Sequence, residues 1–330
     1  MASADAGAPP PAVFVFNGDA DGLCAQHILF LELGAPALRV TGLKRDIELL
    51  DRVPVLPGAH VHALDISLRR NLGALPRLLG QGNTHVTWYD HHEPGDPGRH
   101  PRLSLRVNQA PDTCTAAIVD AAFGRRHPLW AAMAAFGDGL PATGSGLASA
   151  GGASAHEAQA LRRAGVLLNY NAYGEQPGDQ LIPAADLALR MEPYGSALDF
   201  CWDASVFAPL AAQFEADRDA FQALTALVDL PGAKAYVVPE APFARRYAAT
   251  WANERAEERP GEALAVLNAL PGGAYRISLR APRGAGRVPP ASGLAAEFGG
   301  GGRNLAAGID ALPAADLERF AMRFGEYFGT

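Results

Sequence analysis

Residues 84–92 read THVTWYDHH. Val86, Thr87, Trp88 and Tyr89 are β-branched or aromatic, with no glycine or proline among them, so 84–89 reads as a strand. It runs straight into Asp90, His91 and His92. Working outward, HVHALDI (60–66) is a second strand with Asp65 near its end, and AVFVF (12–16) is a third, followed by the turn Asn17-Gly18-Asp19. Between them, the apolar spacing of Leu23, His27 and Leu31 predicts a helix over 21–33, and 68–79 reads as another. Strands separated by helices of this size imply an α/β fold with a parallel sheet covered on both faces. Ligands of such sheets sit outside the carboxyl ends of the strands. That edge receives Asp19 and Asp21 from the first strand, Asp65 from the second, and Asp90, His91 and His92 from the third. A fourth segment, the apolar helix-like stretch 130–137, ends in Asp138.

These residue types in one place suggest a metal centre. Asp19 and Asp21 lie two apart on a turn, so both carboxylates can face one cation. Asp65 can reach the same place and bridge, His91 adds a nitrogen, and Asp138 a last carboxylate. Mixed carboxylate and imidazole donors suit Mn2+ better than Mg2+. Two such ions, about 3.5–4 Å apart, can activate water and clamp both oxygens of an in-line phosphoryl displacement. Each piece alone has a plainer explanation: an Asp-x-Asp in a turn is usually turn chemistry, and an aspartate ending a strand is common. Their order on one sheet edge is what the plainer explanations do not supply.

The rest of the chain sets the organisation. PATGSGLASAGG (141–152) reads as a flexible loop, and 155–168 and 208–228 as helices. Beyond them, 233–238, 263–268 and 275–280 read as strands, with helices at 247–258 and near 312–328. The expected layout is a lead-in over 1–12, a catalytic domain over 13–190, a helical linker over 191–229 and a smaller α/β domain over 230–330. The 330 residues carry a net charge of -7, with 28 Lys+Arg against 35 Asp+Glu, which disfavours a broad basic face for long nucleic acid. Cys24, Cys114 and Cys201 are scattered, so no disulfide framework is expected; Cys24 and Cys114 read as small packing residues. With no signal-peptide pattern and no apolar run long enough to span a bilayer, the expected location is the cytoplasm.

Together the segments FNGDADGLCAQHI (16–28), ALDIS (63–67), WYDHHEP (88–94) and FGDGLP (136–141) resemble motifs I to IV of the DHH phosphoesterase superfamily. FGGGGRNLAAGI (298–309) resembles the glycine-rich motif of its companion DHHA1 domain. That family includes RecJ-type exonucleases, nanoRNases with pAp-phosphatase activity and cyclic-dinucleotide phosphodiesterases. The resemblance implies that Asp19 binds one metal, that Asp21, His91 and Asp138 bind the other, and that Asp65 bridges both. Asp90 and His92 would orient the ligands or touch substrate. It also implies two Mn2+, with Mg2+ a weaker substitute, and a substrate phosphate held by Arg280, Gly300, Gly301, Gly302, Arg303 and Asn304. Two departures stand out. Where many members have a histidine four residues before the first aspartate, this chain has Val15, and where RecJ-type members have a further aspartate it has Asn17. The first metal is thus short of a protein ligand. The second departure is Arg303, where the family's glycine motif ends in histidine; a guanidinium keeps a phosphate donor.

The expected function is a manganese-dependent phosphoesterase of short oligonucleotides, pAp-like nucleotides or cyclic and linear dinucleotides. Long duplex nucleic acid and membranes are not expected partners, and a homodimer is compatible with the sequence. The alternatives are a RecJ-type single-strand exonuclease, and a catalytically weakened nucleotide-binding protein.

Overall fold

A computed structural model of the chain describes residues 10–80, 82–283 and 289–329. The first nine residues of the expected lead-in and residues 284–288 lie outside these. The chain divides into two compact units, 1–211 and 212–330.

In the first unit five strands, β1 (Ala12–Phe16), β2 (Leu38–Val40), β3 (His60–Leu64), β4 (His85–Asp90) and β5 (Leu103–Val107), pair in parallel in the order β2-β1-β3-β4-β5. β1, β3 and the inner part of β4 are buried on both faces, which is why they read as near-continuous apolar runs. The two edge strands are not evident from sequence. β2 has three residues, and β5 is largely exposed, so neither carries a strong apolar signature. The strand order reverses at β1, whose neighbours β2 and β3 lie on opposite sides. The crevice between β1 and β3 is therefore the topological switch point, where ligands of such sheets bind.

Among the described residues, ten α-helices complete this part of the chain: α1 (Ala20–Leu33), α2 (Leu68–Asn71), α3 (Leu75–Leu79), α4 (Thr115–Ala122), α5 (Pro128–Gly137), α6 (Pro141–Ala150), α7 (Ala155–Ala172), α8 (Ala184–Met191), α9 (Ala197–Cys201) and α10 (Ala204–Gln222). The expected helix over 68–79 is split into α2 and α3, with Pro76 just inside the start of the second, a position where its missing N–H costs nothing. The expected loop over 141–152 is mostly helix α6. Its small residues are a packing face: Gly144 and Ala148, one turn apart, are buried, and a Cβ at Gly144 would meet the Phe136 ring at 2.6 Å. The helix over 208–228 ends earlier, because 226–230 pairs as a strand.

The second unit holds β6 (Ala226–Leu230), β7 (Ala233–Val238), α11 (Pro242–Glu258), β8 (Ala263–Leu270), β9 (Ala274–Arg280), α12 (Ala291–Glu297), β10 (Gly301–Gly302), β11 (Ala306–Pro313) and α13 (Leu317–Phe328). Its sheet is mixed, in the order β10-β11-β9-β8-β7-β6, with only β7 and β8 parallel. Phe320, Phe324 and Phe328, at i, i+4 and i+8 of α13, form one stripe that packs with Leu267, Ile277 and Ile309. A buried ion pair joins Asp217 to Arg246 at 2.8 Å. The α/β class and the parallel first sheet agree with the sequence reading.

His62 gives a test of the first core. It is buried in β3, stacked on His60, edge-on to Phe14, and its Nδ1 has no hydrogen-bond partner among the described residues. Burial, aided by His60, pushes its pKa down to about 3. Between pH 6.5 and 3 the unfolded chain therefore takes up a proton that the folded chain refuses. Stability falls as pH falls, by about 1.4 kcal/mol per unit. His62→Phe removes that loss. Its stability relative to wild type should rise by about 2 kcal/mol between pH 7 and pH 5 in urea titrations. A difference independent of pH would show that the imidazole is not buried neutral.

Candidate metal centre

The carboxyl ends of β1, β3 and β4 deliver their polar residues to one place. Asp19 is the N-cap of α1, and its Oδ1 accepts from the Asp21 and Gly22 amides, each at 3.1 Å. Asp21 points away from that turn to the start of α4, where its oxygens accept from the Thr115 and Ala116 amides, both at 2.7 Å. A carboxylate from another element thus satisfies the orphan amides of α4 and sits at the positive end of its dipole. Thr113 and Thr115, at the same helix start, reach the other ligands. The Thr115 hydroxyl donates to Asp65 Oδ1 at 3.1 Å, and the Thr113 carbonyl accepts from His91.

Asp65 follows β3 with a φ of 55°, a left-handed conformation that costs energy in a residue other than glycine. The strain turns its carboxylate into the crevice, the usual meaning of such an outlier at a functional site. His91 Nδ1 lies 3.1 Å from the Thr113 carbonyl, which can only accept, so Nδ1 carries the proton. His91 Nε2 is then the ring nitrogen turned to the carboxylates, 3.5 Å from Asp65 Oδ1 and 3.8 Å from Asp138 Oδ2. Asp138 is the C-cap of α5. A proton or a metal cation on that nitrogen would each satisfy the two carboxylates, and imidazole and carboxylate together are donors that a divalent cation accepts. Among the described residues, potential donor atoms of Asp21, His91 and Asp138 all lie within 4.8 Å of one another, as do those of Asp65, Asp90, His91 and His92. These residues fit a divalent cation.

Asp90 is fully buried, and its Oδ1 takes both the His91 amide, at 2.8 Å, and His92 Nδ1, at 2.7 Å. The Asp90 hydrogen bond raises the His92 pKa, against burial. Burial raises the Asp65 pKa well above the carboxylate range, with Asp19, Asp21, Asp90 and Asp138 adding to it. Burial also lifts Asp21, and with Asp21's help lifts Asp138 to about 6. Asp19 differs. It is as buried as Asp21, and burial raises its pKa too, but the Lys44 charge and hydrogen bond, with hydrogen bonds from Gly22 and Asp65, together bring it below the ordinary value.

Nothing in the sequence singles out Lys44. Its Nζ is 2.5 Å from Asp19 Oδ2, 3.1 Å from Asn169 Oδ1 and 3.7 Å from Asp138 Oδ1, with the Tyr173 ring 5.7 Å away. It lies on the loop after β2, so the rule that picked the other residues would have found it had β2 been legible. Val15 is fully buried in β1. Asn17 is also buried, with its Oδ1 accepting from the Asp19 amide and its Nδ2 donating to the Lys44 carbonyl. Around Asp19 the donor set does not fit a metal ion.

Arg280, Gly300, Gly301, Gly302, Arg303 and Asn304 all lie in the second unit. Arg280 is half-buried and donates to Asn253 Oδ1 and to the Leu279 carbonyl, while Arg303 and Asn304 are exposed. The resemblance implies a glycine run that offers its amides to an anion. Instead the Gly299, Gly300 and Arg303 amides donate to the carbonyls of Ala296, Ala295 and Ala306. Gly300 and Gly302 answer to packing: a Cβ at Gly300 would lie 2.1 Å from the Gly308 carbonyl oxygen, and one at Gly302 2.5 Å from the Ala307 Cα.

No protein-family model and no curated protein matches the sequence. Solved structures do. The chain is similar to RecJ from Thermus thermophilus in complex with Mn2+, at 18% identity and TM-score 0.58, over 97% of this chain and 52% of that one. It thus spans about half the length of that protein. It is similar to an exonuclease RecJ bound to manganese, at 19% identity and TM-score 0.54, over 97% of this chain and 90% of that one. It is also similar to the pGpG-specific phosphodiesterase PggH from Vibrio cholerae, at 12% identity and TM-score 0.57, over 96% of this chain and 99% of that one. The chain shares the fold of these proteins and of a solved DHH domain, at 12% identity and TM-score 0.57. Among the described residues no helix is long and apolar enough to cross a membrane.

Proposed function

We propose that this protein is a phosphoester hydrolase that depends on a divalent cation, preferentially Mn2+, and acts on short nucleotides. The observation that carries the reading is the convergence of His91 Nε2 with Asp65, Asp138 and Asp21 at the switch point of the sheet. When bound there, the cation would supply electrophilic activation of a phosphoryl oxygen and of the attacking water. The chain's own residues supply the rest. The Thr113 carbonyl fixes the His91 tautomer, and Thr115 orients Asp65. Asp90 holds His92 by Nδ1, so the half-exposed ring can present a protonated Nε2 to a leaving oxygen. Lys44 sets a fixed positive charge beside Asp19, where it offsets negative charge in the crevice. The two-ion centre that the resemblance implies has a full donor set here for one ion.

A short substrate is supported by the net charge of -7, which gives long polyanions no broad basic track, and by the likeness to a dinucleotide phosphodiesterase along that protein's whole length. We take the second unit to be the DHHA1-like, substrate-binding domain, with Arg303 and Arg280 as candidate phosphate contacts. The test is a screen of short RNAs, pAp and linear and cyclic dinucleotides after removal of metal with EDTA. Turnover should return with Mn2+, return more weakly with Mg2+, and stay absent with Ca2+, because imidazole is a poorer donor to the harder ions. Efficiency should fall as oligonucleotides lengthen beyond a few residues. Equal rates with saturating Mg2+ and Mn2+ would contradict His91 as a ligand, and processive degradation of long single strands would favour the exonuclease.

A further inference from the structure

The Asp19 side of the centre is built around a lysine. Lys44 Nζ meets Asp19, Asn169 and Asp138, and its backbone is tied on both sides: its amide donates to the Ala172 carbonyl, and its own carbonyl accepts from Asn17 Nδ2. The ammonium is thus delivered by a loop clamped between the residue after β1 and the end of α7. Asp138 divides its oxygens, with Oδ1 towards Lys44 and Oδ2 towards His91 Nε2. What sets Asp19 apart from the other aspartates is the lysine at its Oδ2, and it belongs to neither converging donor group. Asn17, two residues before Asp19, is an amide whose two ends are both committed.

We propose that the Lys44 ammonium occupies the place of one cation, so that the protein binds a single divalent ion, through Asp21, Asp65, His91 and Asp138. A fixed monovalent charge replaces an exchangeable divalent one. The carboxylates of Asp19 and Asp138 are neutralised in part by the chain itself, and the remaining donors close on one metal. Lys44 is in this sense a positioning and charge-compensating residue. The inference rests on the reading of a divalent-cation centre given above, and its test separates the two.

The experiment is metal stoichiometry on the full chain. Protein stripped with EDTA is dialysed against Mn2+, its bound metal is counted by elemental analysis, and the bound Mn2+ is examined by electron paramagnetic resonance. Wild type should hold one Mn2+ per chain with the spectrum of an isolated ion. Lys44→Ala and Lys44→Gln should each admit a second, weaker Mn2+ at higher concentration, with the broadened, exchange-coupled spectrum of a pair. Two coupled ions in wild type would overturn the proposal. So would a count that stays at one in both folded variants at saturating Mn2+, since the lysine would then not be what keeps the second ion out. No Mn2+ in wild type would overturn the metal centre itself. The wild-type count decides the matter even if neither variant folds.

Discussion

Asp65→Asn is expected to reduce hydrolysis by about 10³-fold, since a metal supplies several kcal/mol of transition-state stabilisation and each 1.36 kcal/mol is tenfold in rate. Asp65 stands where the donors converge, 3.5 Å from His91 Nε2, and takes the Thr115 hydroxyl on the same oxygen. Asparagine keeps the shape and tolerates the left-handed backbone that Asp65 adopts, but it removes the charge. The same change should not unfold the protein. Without metal the Asp65 carboxyl is pushed well above the usual range by burial and by four neighbouring aspartates, so a charge at this position disfavours the folded state and asparagine removes it. Wild type should gain thermal stability from Mn2+, by about 2.7 kcal/mol when the free ion is at 100 times its Kd. The variant should melt at or above the wild-type temperature in EDTA and lose most of that gain. Near-normal turnover, or a large drop in melting temperature in EDTA, would remove Asp65 from the metal.

The largest expected effect on stability is at Trp88. Its ring is fully buried in β4, in the cluster with Val13, Val61 and Leu78, and its indole N–H donates to the Ile66 carbonyl at 3.0 Å. Ile66 follows Asp65, so the indole pins the strained turn that aims the carboxylate. Trp88→Ala should cost about 3–5 kcal/mol from lost burial and the cavity left behind. That is a large share of the 5–15 kcal/mol that holds a typical domain together. Trp88→Phe keeps most of the apolar volume and loses the hydrogen bond, leaving the buried carbonyl unsatisfied at about 1–3 kcal/mol. Urea denaturation of both variants measures the two losses, and Mn2+ titration of Trp88→Phe tests the link to the centre, where affinity should weaken. A Trp88→Ala variant within about 1 kcal/mol of wild type would show that the strand does not depend on this ring.

The parts of the centre legible in sequence are those whose placement is local. Asp19, Asp65 and His91 each follow a buried strand within a few residues and Asp90 ends one, and buried parallel strands announce themselves as apolar runs. Once the strands are aligned, the residues after them must meet, since the strands end on one edge. The α/β class follows for the same reason. Misreadings come where apolar content is low. The glycine- and alanine-rich 141–150 reads as a loop because its signal is smallness, and smallness serves close helix packing as well as it serves flexibility. The two edge strands are too short or too exposed to carry a pattern.

The roles of these residues are a different matter. In the sequence Asp21 is one of a pair with Asp19. In the structure its carboxylate turns to the start of α4, and only Asp19 meets a lysine. Which nitrogen of His91 is free depends on the Thr113 carbonyl, 22 residues on. Lys44 sits in a charged loop, GLKRD, and its partner Asn169 is 125 residues away. The sequence by itself determined which residues reach the sheet edge, because strand direction and alternation are local properties of the chain. Only the tertiary structure decided how charge is balanced there, because the partners that neutralise or orient a buried carboxylate come from distant segments, and no spacing within the chain encodes their meeting.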